Sequence, residues 1–131
     1  MKRSGFYLLI MIIMPALGLS TSYGADLLKP TDVARTHILR GESDKALSVI
    51  KSFLINNPGS STGYYLESVI YRRQEQFDMA SESLAKARNL EPDSPRLLLA
   101  QANLYYESGK MEDALAAYLR LKGESKYNLA Y

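Results

Sequence analysis

The chain has 131 residues, 47% of them apolar, with a mean hydropathy of −0.18 and a formal charge of +2. That length allows one small domain with a modest core, and the absence of cysteine excludes disulfides, thiol catalysis, thiolate metal sites and a lipid-acceptor thiol. Lys2 and Arg3 supply the whole positive surplus; without them 14 basic residues face 14 acidic ones, which removes the electrostatic basis for binding nucleic acid.

In chain order, the first element is a leader. Lys2 and Arg3 precede an almost wholly apolar run from Phe6 to Leu19, followed by small Ser20, Ser22 and Gly24. These three regions predict a secretory signal peptide over residues 1–24, cleaved after Gly24, and hence export, with the periplasm as destination. The apolar run is 14 residues long and is interrupted by Pro15, whereas a membrane span needs about 18 or more. An uncleaved, membrane-anchoring signal is the alternative, and no stable span is expected in the mature chain.

Residues 25–131 form one domain in which the apolar pattern is helical throughout. First helices are predicted over Thr31 to Arg40, Ser61 to Gln74 and Pro95 to Ser108. Second helices carry the stripes Ala46, Leu47, Ile50, Phe53, Leu54; then Phe77, Ala80, Leu84, Ala87, Leu90; then Met111, Ala114, Leu115, Tyr118, Leu121. Steps of three and four residues put each set on one helix face. Ser94 before Pro95 is a start signal, because serine can cap free backbone amides and proline suits the first helical position. After Gly123-Glu124-Ser125 only a short C-terminal stub, Lys126 to Tyr131, follows, so the polar closing helix usual at the end of a helical array is expected to be missing or unfinished.

The strongest signal is a period of 34 residues. Ala46, Ala80 and Ala114 keep it, as do Pro58 and Pro92, small Ala34, Ser68 and Ala102, ring-bearing His37, Tyr71 and Tyr105, and Gly41, Glu75 and Gly109. A period of this length means one supersecondary unit copied in tandem, each copy burying its apolar face against its neighbours. The fold class expected is all-α: a solenoid of about three helical hairpins (about residues 27–60, 61–94 and 95–126), six helices plus the stub. Small residues let the two helices of a hairpin approach, and rings fill the spaces between hairpins.

The run Gly63-Tyr64-Tyr65 through Tyr71, Phe77, Ala80, Ala87 and Glu91-Pro92, with Ala102 through Tyr105-Tyr106, Gly109, Ala114-Leu115 and Tyr118, resembles the tetratricopeptide repeat family. The likeness covers Leu27 to about Lys126. It departs from the family pattern at Val33, Glu67 and Gln101, where leucine is usual. The resemblance implies a non-catalytic scaffold whose first helices line a concave groove, and it carries that role onto Arg35, Ile38, Tyr65, Val69, Arg72, Arg73, Arg96, Leu99, Asn103 and Tyr106. Guanidinium groups beside aromatic and aliphatic side chains suit a protein or peptide partner with acidic groups. The clamp with which some members hold a carboxylate tail is not reproduced, since Thr31, Leu66 and Ala100 occupy basic positions of it and only Arg96 fits. Self-association through the C-terminal edge, Tyr127 to Tyr131, and a role as the first segment of a longer array are the alternatives.

Chemical sites are sparse. His37, the one histidine, holds the position of Tyr71 and Tyr105 and reads as a packing ring. No cofactor or metal motif is present, because the acidic residues show no cation-loop spacing. Ser48 with Lys51 and Ser83 with Lys86 have the Ser-x-x-Lys spacing of a nucleophile and its lysine, but no oxyanion or companion motif, and both are expected on solvated helix faces. A serine enzyme is therefore the least favoured reading. Tyr64, Tyr71, Tyr105 and Tyr118 are expected in the packing.

Overall fold

A computed structural model of the chain describes residues 28–128. The leader over residues 1–24 and the last three residues of the C-terminal edge lie outside the described residues. Six helices follow in order: α1 (Pro30–Leu39), α2 (Ser43–Asn56), α3 (Ser61–Arg73), α4 (Phe77–Leu90), α5 (Pro95–Glu107) and α6 (Met111–Asn128). Among the described residues there is no strand. The first helices begin and end within one residue of the expected bounds. In place of a separate stub, α6 runs on through Gly123 to Asn128.

The helices pack in chain order as pairs, α1 on α2, α3 on α4 and α5 on α6, and each pair meets the next through its second helix and the following first helix. α1 also touches α3. The result is a helical, repeat-like architecture with its core at the seams. Ala34, Ala46, Ala80 and Ala102 have no exposed surface, Ala114 has 2% and Ser68 4%. Each of the six periodic small residues is thus buried at a seam between packed helices. Large side chains fill the intervening space: Ile38, Ile50, Leu54, Leu66 and Ile70 between the first two pairs, Tyr71, Leu84, Leu97 and Leu104 around the junction of the next. Gly63 makes a further close approach, since a Cβ there would lie 2.6 Å from Leu54 Cδ2.

The turn inside each pair is the same turn three times. Residues Gly41, Glu75 and Gly109 take positive φ of 75°, 58° and 81°. Their amides donate to Ile38, Arg72 and Tyr106 carbonyls, and the next amides, of Glu42, Gln76 and Lys110, reach back to the carbonyls of His37, Tyr71 and Tyr105. These two nested bonds define the Schellman motif that closes a helix with one left-handed residue. The ring of each repeat therefore sits on the residue whose carbonyl accepts the outer of the two nested bonds, the one spanning more residues. In the first copy the side chains repeat the link, with His37 Nδ1 donating to Glu42 Oε2 at 2.6 Å. Lys45 and then His37 hold the Glu42 carboxyl down to about 2 by bonding its charged form.

Polar residues in the seams find partners. Glu67 accepts from Ser83 Oγ at 2.8 Å across the α3–α4 pair. Gln101 accepts from Arg88 of α4 and donates to Tyr105 Oη at 2.9 Å. Ser83 is therefore buried and bonded, not solvated as its spacing implied. Ser60 caps α3 by accepting from the Gly63 amide at 3.1 Å. Ser94 makes no such side-chain bond; its carbonyl accepts both the Leu97 and Leu98 amides. The α6 stripe departs most from expectation. Only Ala114 is buried, while Met111, Leu115 and Tyr118 are exposed, since α5 is the main element packed on that helix.

Glu75 is the only described non-glycine residue with positive φ, a conformation that costs a side-chain-bearing residue roughly 1–2 kcal/mol. Glycine recovers that strain and gives part of it back as unfolded-chain entropy. Glu75→Gly is expected to raise stability by about 0.5–1 kcal/mol and Tm by a few degrees in a thermal melt, while Glu75→Ala, which keeps Cβ, gives no such gain. A glycine variant that melts below the parent refutes the assignment of strain.

Candidate peptide-binding groove

The expected groove residues come from the exposed sides of α1, α3 and α5, and the structure divides them. Tyr65, Val69 and Arg72 from α3, with Arg96, Leu99 and Asn103 from α5, line one cleft of about 90 Å³ between these two helices. Each triplet lies on one helix face through steps of three and four residues. The α3 and α5 triplets face each other because α4 holds the two first helices side by side. Leu84 of α4 forms part of the cleft wall, and Ser68, Ala100 and Leu104 complete it. Those four were missed because their register assigns them to packing. Ala100 and Leu104 are period mates of Leu66 and Ile70, both buried, yet they reach the cleft from the edge of the core.

Arg35, Ile38, Arg73 and Tyr106 do not line this cleft, and Ile38 is instead buried in the core of the first two pairs. Arg35 pairs with Asp32 on its own helix at 3.0 Å. Arg73 Nη1 donates to the carbonyl oxygen of Ile38 at 3.0 Å, which pins the end of α3 to the end of α1. Tyr106 is 57% exposed beyond the cleft.

Arginines, which give the sequence its suggestion of an anion site, are mostly engaged. Arg72 pairs with Glu107 at 2.9 Å, linking the ends of α3 and α5. The pair is partly exposed, and contacts of that kind contribute little stability, about 0–1 kcal/mol. Arg96 differs. Its guanidinium lies 4.8 Å from the centroid of the Tyr65 ring, within cation–π range, and the charge makes no ion pair among the described residues. Asn103 Oδ1 accepts from Tyr118 Oη of α6 at 2.6 Å. That bond takes up the amide oxygen, and Leu99, 46% exposed, adds an apolar wall. The cleft can offer one guanidinium held over an aromatic ring, one amide and an aliphatic floor.

The serine pairs do not assemble into a nucleophilic site. Ser83 donates to Glu67, and Lys86 is bonded to Glu82 at 2.9 Å, a contact that raises the lysine pKa above its ordinary value and so keeps the amine protonated and unable to accept a proton from a serine. Ser48 is exposed, and Lys51 lies over the Tyr71 ring at 5.8 Å. No group of three His, Asp or Glu side chains that could hold a metal ion occurs among the described residues. No helix among them is long and apolar enough to cross a membrane. Comparison with known proteins finds no family model that matches the chain and no curated relative.

Proposed function

We propose that this chain is an exported, non-catalytic scaffold of the tetratricopeptide repeat type, a curved solenoid that holds an extended protein or peptide segment in the α3–α5 cleft. The observation that carries the reading is the convergence of Tyr65, Val69, Arg72, Arg96, Leu99 and Asn103 on one depression. Three identical Schellman turns at 34-residue intervals support the repeat assignment. The leader over residues 1–24 supports export to the periplasm.

Arg96 is the cation left for a ligand, so it and not Arg72 or Arg73 sets the preference for an acidic group. A carboxylate bound there meets a guanidinium already ordered by the Tyr65 ring, which lowers the entropy lost on binding. On an array of extended peptides, acidic sequences are expected to be enriched by the wild-type chain. Arg96→Glu lowers affinity for the selected peptides about tenfold, equivalent to about 1.4 kcal/mol, while Arg35→Glu, outside the cleft, leaves it unchanged. Equal loss in both variants, or no acidic enrichment, contradicts the groove.

A second reading, self-association, is favoured by one feature of α6. Met111, Leu115 and Leu119 are 56%, 60% and 58% exposed, and Tyr118 lies beside them. Their spacing makes one apolar stripe on the outward side of the helix. Sedimentation over a range of concentrations is expected to show a reversible dimer that Leu115→Glu with Leu119→Glu converts to monomer. A wild-type chain that stays monomeric at high concentration discards this reading and leaves the groove untouched.

A further inference from the structure

The two junctions between successive helix pairs are built on the same template and filled differently. In the first, between α2 and α3, Leu47 packs against the core clusters on both sides. One turn further along α2, the Lys51 ammonium sits 5.8 Å over the buried Tyr71 ring. Gln74 Nε2 closes the edge by donating to Asp44 Oδ1 at 3.1 Å. Those groups together occupy the space beside Tyr71.

The second junction, between α4 and α5, keeps the receiving groups and lacks the fillers. Thirty-four residues on, Tyr71 is matched by Tyr105 and Asp44 by Asp78, but Leu47 becomes Ser81, Lys51 becomes Ala85 and Gln74 becomes Ser108. Ser108 turns its hydroxyl to the Tyr105 carbonyl at 3.1 Å and so does not tie off Asp78. A cleft of about 740 Å³ opens there, lined by Ser81, Ala85, Asp78, Tyr105 and the apolar side chains of Phe77 and Met79. Leu104 is the one residue it shares with the Tyr65–Arg96 cleft. Its charged rim holds Glu75, Asp78 and Glu82 against Lys110, with Glu82 already bonded to Lys86.

We propose that this cleft is a second docking site, taking a basic helix of a partner protein that presents an aliphatic side chain and a lysine one turn apart. The first junction shows the chemistry of the occupant: an aliphatic group where Ser81 leaves room, and an ammonium over the Tyr105 ring as Lys51 lies over Tyr71. The ring face supplies cation–π attraction, and Glu75 and Asp78 supply charge complementarity at the rim. This site is separate from the α3–α5 groove and prefers the opposite charge, so it stands or falls independently of the proposed function.

The probe is the chain's own filler, a capped peptide of residues 43–56 bearing Leu47 and Lys51, stapled between positions 48 and 52 because a free peptide this short is a marginal helix. Titrated into the isotope-labelled full chain, it is expected to give saturable NMR shifts confined to residues 75–85 and 104–110. Lys51→Glu or Leu47→Ser in the probe weakens binding at least tenfold. Ser81→Leu with Ala85→Lys in the protein fills the cleft and abolishes binding while the melting temperature holds or rises. Should that double variant fail to fold, Asp78→Asn serves instead, with at least threefold weaker binding expected. No saturable shifts, shifts elsewhere, equal binding by the altered probes, or binding unchanged by Asp78→Asn or by the filled cleft each overturns the proposal.

Discussion

The structure depends on how closely neighbouring helix backbones can approach. Alanine or serine at six periodic positions is buried between neighbouring helices, four of the six with no exposed surface. At such contacts packing is at crystal-like density, so a few added carbons cannot be absorbed without moving a helix. The threefold left-handed turn complements that closeness. It ends each first helix on the same residue of the repeat and starts each second helix four residues later, so the small residues meet in register.

Both candidate binding surfaces follow from this constraint. Close packing within a pair pushes larger side chains to the junctions between pairs, where fit depends on what each copy supplies. At the groove side, Arg72 and Arg73 are drawn into links between helix ends, leaving Arg96 on Tyr65 as the group with unspent charge. At the other side, Leu47 and Lys51 fill the first junction, and their small counterparts leave the second open. Repetition of the backbone with variation of the fillers is what separates a structural junction from a binding one.

Much of this architecture was legible in the sequence, because its determinants are local and repeated. Gly41 and Gly109 announce left-handed turns, and the period alone assigns Glu75 to the same conformation, which its chemistry does not favour. Ala46, Ala80 and Ala114 mark the seams by size. The site was legible only in part. Six of the cleft-lining residues are among those the tetratricopeptide resemblance implied, but the engagement of Arg73 with the Ile38 carbonyl and of Arg72 with Glu107 depends on long side chains reaching across pairs, which spacing along one helix does not encode. Glu67 and Gln101 looked misplaced until Ser83 and Arg88 were seen beside them. The exposure of Leu115 and Tyr118 depends on what packs against α6, a fact external to that helix's own pattern.

The central claim is that methyl-sized side chains set the distance between paired helices. Guanidinium denaturation of Ala46→Leu, Ala80→Leu and Ala116→Leu tests it most directly, since the chemical change is identical and only the last site is exposed. The account predicts losses of about 1–3 kcal/mol at positions 46 and 80, against a change within about 0.5 kcal/mol at 116. Equal effects at all three positions would contradict it.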